Sequence, residues 1–159
     1  MQNSLQSNQG AERKLAISPT NRKYRILLVI MLVILSVQAW FGDFVNIFQV
    51  PPTSPVPAQS FAGLIQAIRS LGVALEWHAV EGLGLVIFGV ALAILSFVWS
   101  KSKGVRISSI LALLSLISAA IGGVLFVLSG FSAGGNSMQM GGSFVAAYAL
   151  YFVALFYAK

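Results

Sequence analysis

Three long stretches of the chain are apolar and carry no charged residue: residues 26–42, 82–100 and 107–158. The last stretch is more than twice as long as the roughly 20 residues that one membrane-spanning helix needs. Within it, residues 130–142 read GFSAGGNSMQMGG, and this run of Gly, Ser and Asn favours a loop. The pattern therefore predicts four transmembrane helices, near residues 25–48, 73–100, 107–129 and 142–158.

The connection between the first two predicted helices has two parts. Pro51, Pro52, Pro55 and Pro57 exclude a continuous helix and predict an extended spacer over residues 51–58. Apolar residues then recur at helical spacing opposite polar ones, which predicts an amphipathic helix near residues 59–71. Its apolar positions are Phe61, Leu64, Ile65, Ile68 and Leu71. A helix this short does not span a membrane, so we expect it in the outer interface or as a cap on the bundle.

The N-terminal residues 1–23 are rich in Gln, Asn, Ser and charge, with too little apolar surface for a folded core. They predict a disordered basic cytoplasmic tail in front of a transmembrane domain over residues 24–159. The start of that domain also fits a signal peptide, because an apolar run is followed by the small-residue pattern Val37-Gln38-Ala39. The sequence leaves open whether the N-terminal segment is processed.

The composition supports a membrane protein and excludes several soluble classes. Of 159 residues, 57% are hydrophobic and 9% are charged, and the mean hydropathy is +0.85. A soluble domain has about 45–50% apolar and about 25% charged residues. A water-soluble globule, a disordered chain and a nucleic-acid-binding domain are therefore excluded, and we expect the lipid bilayer as the surroundings and no nucleic acid as a partner. The absence of cysteine excludes disulfides and thiolate metal sites.

The distribution of charge predicts an orientation. Ten Lys and Arg outnumber four Asp and Glu, which gives a net charge of +6. The predicted topology places every basic residue except Arg69 on one side of the membrane, and the positive-inside rule assigns that side to the cytoplasm. We therefore expect a multi-pass protein of the cell (plasma) membrane with both termini cytoplasmic. The basic residues on that side are Arg13, Lys14, Arg22, Lys23, Arg25, Lys101, Lys103, Arg106 and Lys159.

Small or short polar residues recur at spacings of three, four and seven on each predicted helix. On the first helix they are Ser36, Ala39, Asp43 and Asn46. In lipid, stripes of this kind mark the faces on which helix backbones approach each other. The expected fold is therefore an all-α integral membrane protein, a four-transmembrane-helix bundle with a short outer interfacial helix.

Polar residues gather near one end of the predicted bundle. Asp43 and Glu81 lie about 27 Å and about 30 Å along their helices from Arg25 and Lys101, at a rise of about 1.5 Å per residue. A hydrocarbon core is about 30 Å thick, so both acids are expected near its outer boundary. The expected polar cluster at the outer mouth of the bundle comprises Asp43, Asn46, Arg69, Glu76, His78 and Glu81.

Four interpretations of this cluster are open. A hydrogen-bonded network that joins the first two transmembrane helices is sufficient to explain polar groups at the interface. His78 and Glu81 share a helical face and also suit a proton-handling or quinone-head-group site. His78, the lone histidine, is a candidate metal or haem ligand, and Met138 or Met140 could be the second ligand of a haem. A transporter site is the fourth interpretation. We expect no catalytic residues, no metal site and no cofactor, with haem or quinone as the alternative.

The order of certain glycine, polar and aromatic residues along the four predicted helices carries a resemblance to known proteins. The first helix ends in a Gln, Gly, Asn-x-Phe, Pro series, the second opens with His and then Gly, the third carries Gly and then Phe, and the fourth opens with Ser-Phe. These positions are Gln38, Gly42, Asn46, Phe48, Pro51, His78, Gly82, Gly122, Phe126, Ser143 and Phe144. Over residues 25–158 the chain resembles a family of small uncharacterised prokaryotic four-helix membrane proteins. The resemblance implies the fold and no activity.

The size of the chain limits the functions that it can carry alone. With no soluble domain and no charge at the centre of the bundle, the sequence predicts a non-catalytic accessory or scaffold subunit. Its expected partners are other membrane subunits, such as those of a respiratory complex. The first alternative is a haem- or quinone-interacting redox protein that uses His78. The second is a small proton-coupled transporter that acts as an oligomer.

Overall fold

A computed structural model describes residues 19–48, 60–70 and 72–158, and within them the chain is helical with no strand. Four helices are long and apolar enough to cross a membrane, and a fifth is short. This confirms the all-α fold and the four apolar helices. The helices are α1 (Pro19–Phe48), α2 (Phe61–Ser70), α3 (Val73–Trp99), α4 (Lys103–Leu128) and α5 (Gly134–Tyr157).

Helix α1 begins earlier than the apolar pattern predicts. Residues 19–23, expected in the disordered tail, form its first turn, so the tail prediction is wrong there. Pro19 suits this start, because its fixed φ and missing N–H are tolerated at the first position of a helix. Residues 1–18 of the expected tail and the proline spacer of residues 51–58 lie outside the described residues.

Helix α5 also begins earlier than expected, and the predicted loop is wrong over residues 134–142. The chain turns only between α4 and Gly134, where Gly130 and Phe131 adopt positive φ. Packing explains the difference. A Cβ added to Gly122 of α4 would lie 2.9 Å from the backbone nitrogen of Met140, so α5 packs against the backbone of α4 at this glycine. This close packing offsets the low helix propensity of the Gly-rich segment.

The four long helices form a closed ring in which each has two neighbours. Helix α1 contacts α3 and α5, and α4 contacts the same two helices from the opposite side. The short helix α2 packs on α3 and α4 and buries Ala67. Ser60 begins it, because the Ser60 hydroxyl accepts a hydrogen bond from the Gly63 N–H at 3.1 Å.

A short connection joins α3 to α4. The Arg106 guanidinium donates two hydrogen bonds to the Ser100 carbonyl, from Nε at 3.1 Å and from Nη2 at 2.7 Å, and lies over the Phe97 ring. The Ser102 side chain caps α4 by accepting from the Val105 N–H. These contacts pair the last carbonyls of α3 and the first N–H groups of α4 with partners.

The two ends of the bundle differ in charge and packing. We call the end that holds Arg22, Lys23 and Arg25 of α1 and Lys101, Lys103 and Arg106 beside the α3–α4 connection the basic end, and the opposite end the open end. The half nearer the basic end, the basic half, holds the largest fully buried side chains. They are Tyr24, Leu28, Met31, Leu35, Leu92, Ser96, Val105, Ser109 and Tyr151.

Candidate functional site

A cavity of about 1110 Å³ lies in the half of the bundle nearer the open end, the open half. All five helices contribute to its wall. Leu35, Leu85 and Leu116 line it where it borders the packed core, and Leu64 and Ile68 of α2 line it on another side. The wall is mostly apolar, and its larger side chains on the α4 and α5 side are Phe126, Phe131, Met140, Phe144 and Tyr148.

The polar part of the wall is built where α1 meets α3. The Gln38 amide nitrogen Nε2 donates a hydrogen bond to the His78 backbone carbonyl at 2.9 Å. Two glycines let the helices approach here. A Cβ on Gly42 would lie 3.1 Å from the His78 ring atom Cε1, and a Cβ on Gly82 would lie 3.3 Å from Gln38 Nε2. The absence of a side chain at Gly42 therefore leaves room for the His78 ring against α1, and its absence at Gly82 leaves room for the Gln38 amide against α3.

Two polar atoms of this wall are buried without a hydrogen-bond partner among the described residues: Gln38 Oε1 and His78 Nδ1. Gln38 is only 6% exposed, so water does not replace the missing partner from outside. A buried polar group left unpaired costs about 1–3 kcal/mol. An amide and an imidazole in this state, in the wall of a large cavity, are the features that suit a bound polar group.

The structure does not bring the six residues of the predicted polar cluster together at one place. Asp43 and His78 line the cavity. Arg69 and Glu76 pair with each other, Nε to Oε1 at 3.4 Å, with side chains 69% and 44% exposed. Glu81 is partly buried on α3 and is not among the residues that line the cavity. The side chain of Asn46 lies outside the described residues.

The two methionines considered as a second haem ligand also lie in different surroundings. Met140 lines the same cavity as His78, whereas Met138 is 80% exposed. Within the described residues, no three His, Cys, Asp or Glu side chains come together in a group that could hold a metal ion. Met140 is therefore the methionine that shares a cavity with His78.

Gln38 is the residue that the candidate cluster did not include. An amide in an otherwise apolar helix is a signal in itself, because burying it is costly unless it finds a partner. Gln38 precedes Gly42 by four residues and so shares its helical face. The sequence thus contains the hint, but the partner, a backbone carbonyl of another helix, is visible only in the structure.

Comparison of the chain with protein-family models, with curated proteins and with solved structures finds no match. The candidate site therefore rests on its own geometry. It consists of a mostly apolar cavity at the open half, and the polar residues on its α1–α3 side are Ser36, Gln38, Asp43 and His78.

Proposed function

We propose that this chain is a multi-pass membrane protein that binds a lipid-like molecule in the cavity of its open half. The head group of that molecule, of the quinone class, lies near His78 and Gln38. The observation that carries the proposal is the combination of a large apolar cavity with two unpaired polar atoms in its wall. Ligand sites are mostly apolar clefts of about 300–1,000 Å³ with a few placed polar groups, which is the arrangement here.

The outer surface of the bundle supports the membrane part of the proposal. Apolar side chains on the outward faces of all four long helices are exposed, among them Val33, Val98, Ile107 and Phe152. Trp40 and Trp77 are exposed near the open end and Tyr157 near the basic end, as in the aromatic belts at membrane interfaces. Lipid chains would cover the apolar band between these belts.

The proposed orientation puts the basic end in the cytoplasm and the open end on the opposite side. The positive-inside rule supports it, because the basic side chains of α1 and of the α3–α4 connection lie at one end. The chain has no cysteine, so single cysteines can be introduced as probes. In intact cells, a membrane-impermeant maleimide should label Ser132→Cys near the open end, and Lys101→Cys only after permeabilisation. The reverse pattern would invert the orientation.

Three further roles stay predictions from the sequence: an accessory or scaffold subunit, a haem protein and a proton-coupled transporter. A cavity that holds a lipid-like molecule is compatible with the first of them. Migration on a native gel with much larger subunits would favour that role, and a Soret band in the purified protein would favour haem.

The binding proposal is tested by asking what purifies with the protein. The full chain is isolated in mild detergent, extracted with organic solvent, and analysed by mass spectrometry and ultraviolet absorption. We expect a lipid-like molecule with an aromatic head group in near-stoichiometric amount. Ala79→Leu, in the cavity wall, should reduce its amount at least about tenfold, because the added side chain occupies part of the cavity.

The matched control is Ala149→Leu, an exposed alanine of α5 that does not line the cavity. This variant should retain the molecule at the wild-type level. Both variants are compared at equal amounts of folded protein, judged by helical circular dichroism. Retention by Ala79→Leu, or recovery of only bulk phospholipid from the wild-type protein, would overturn the proposal.

A further inference from the structure

We infer that the cavity selects a head group that carries a hydroxyl and no negative charge, so that a hydroquinone binds more tightly than the corresponding quinone. This inference rests on the proposed function and adds a chemical class and a preferred redox state of the ligand. It is carried by the hydrogen-bonding capacity of Gln38 and His78 and by the charge of the cavity wall.

Gln38 offers an acceptor to the ligand. Its amide nitrogen faces the His78 carbonyl, and a carbonyl only accepts hydrogen bonds, so the assignment of nitrogen and oxygen in the amide is fixed. The remaining atom, Oε1, is therefore an acceptor without a donor among the described residues. A hydroxyl of a hydroquinone can donate to it. The carbonyl oxygens of a quinone cannot.

His78 suits a hydroxyl in either of its neutral forms. With a proton on Nδ1 the ring donates a hydrogen bond from this atom, and with the proton on the other nitrogen Nδ1 accepts one. A hydroxyl both donates and accepts, so it matches both forms. A carbonyl matches only the form with a proton on Nδ1, so a hydroquinone again has the wider choice of partners.

The charge of the wall disfavours an anionic head group. Asp43 lines the cavity, and among the described residues no Lys or Arg does so. Arg69, on the neighbouring α2, lies in an exposed ion pair with Glu76. Phosphate or carboxylate head groups would therefore meet a negative charge without a cation to balance them. Phospholipids and fatty acids are disfavoured on this ground.

Binding requires a small movement of the wall. Gln38 Oε1 and His78 Nδ1 are shielded from water by neighbouring atoms, although both residues border the cavity. A head group reaches them when these side chains turn toward the cavity. The hydrogen bonds formed then replace two unpaired groups by paired ones, and a hydroquinone can pair both groups whereas a quinone can pair His78 alone.

The test measures binding of a short-chain benzohydroquinone and its quinone to the full chain, delipidated and held in detergent under anaerobic conditions, by calorimetric titration. An alkyl phosphate of matched chain length is the anionic probe. We expect the hydroquinone to bind at least about tenfold more tightly than the quinone, the equivalent of one hydrogen bond, and the phosphate to bind more weakly than either. Tighter binding of the phosphate would overturn the argument from charge.

Gln38→Leu removes the acceptor and keeps the approximate size of the side chain. This variant should lose the preference for the hydroquinone while still binding the quinone. The matched control is the same substitution at an exposed glutamine of α5 that does not line the cavity, Gln139→Leu. The control should keep the preference. If Gln38→Leu does not fold, Gln38→Met is used in its place, and the wild-type ratio remains a test by itself.

The outcomes separate this inference from the proposed function. Absence of binding by both redox forms would overturn both. Equal binding of hydroquinone and quinone would overturn the inference alone. A preference that persists in Gln38→Leu would overturn the assignment of the acceptor to Gln38.

Discussion

The basic half and the open half of the bundle solve the same packing problem in different ways. In the basic half, large side chains fill the interior, and the Tyr24 hydroxyl is paired with the Ser109 hydroxyl at 2.7 Å and with the Leu92 carbonyl at 3.1 Å. In the open half, the interior is a cavity whose wall holds an unpaired amide oxygen and an unpaired imidazole nitrogen. The basic half has the features of a stable core, and the open half has those of a binding site.

The sequence of α1 contains the origin of this difference. Its basic half presents Tyr24, Leu28 and Met31 to the interior, and all three are fully buried. Beyond Leu35, the residues that line the cavity include Ser36, Ala39 and Gly42. Because α1 continues as one helix while its inward side chains become smaller, volume is left unfilled. A protein interior with unfilled volume loses dispersion contacts. Stability is therefore expected to concentrate in the basic half.

The largest difference in stability between the two halves is expected when a leucine is truncated to alanine. Leu92→Ala removes a fully buried side chain from the basic half, and such deletions cost about 2–5 kcal/mol of the free energy of unfolding. Leu64→Ala should cost less than about 1 kcal/mol, because Leu64 already borders the cavity. Unfolding in mixed micelles with increasing sodium dodecyl sulfate measures both values. Equal losses would mean that the two halves are packed alike.

A smaller difference in stability is expected within the basic half, between the removal of a paired hydroxyl and the removal of an unpaired one. Tyr24→Phe deletes a hydroxyl with two partners and should cost about 1 kcal/mol of the free energy of unfolding. Tyr151→Phe deletes a buried hydroxyl with no partner among the described residues and should cost nothing or stabilise. The same unfolding titration is the measurement. A larger loss for Tyr151→Phe than for Tyr24→Phe would contradict the assigned pairing.

The smallest effect is expected at the surface of the open half. Arg69→Ala removes one partner of an exposed ion pair, and such pairs contribute little because water and salt screen them. The free energy of unfolding should change by less than about 0.5 kcal/mol, and hydroquinone binding should be unchanged. A loss of binding in this variant would show that the pair holds α2 against the cavity.

The apolar pattern was sufficient for most of the helical architecture. It located α3 to within one residue, at Val73–Trp99, because the long uncharged apolar run over residues 82–99 identifies a spanning helix without reference to its neighbours. It failed at the start of α5, where residues 134–142 look like a loop by local propensity. The contact between α5 and the backbone of α4 at Gly122 overrides that propensity, and such contacts between distant residues are not encoded in local composition.

The candidate site was predictable only in part. His78 stands out in the sequence as the lone histidine, and the helical rise places it near one end of the bundle. The structure adds that His78 and Asp43 line a cavity and that Arg69 and Glu76 pair on the surface. Gln38 requires the structure, because its role depends on the distance between α1 and α3, which Gly42 and Gly82 permit.

The short connections of the bundle have a consequence for the order of its assembly. Helices α3, α4 and α5 follow one another with connections of only a few residues, whereas α1 is separated from α3 by residues 49–72. Contacts between segments close in sequence form at the lowest cost in chain entropy. The three-helix unit is therefore expected to form first, with α1 docking onto it afterwards. Because Gln38 belongs to α1, it meets His78 of α3 only in this last step. A chain that binds the ligand has therefore completed its fold.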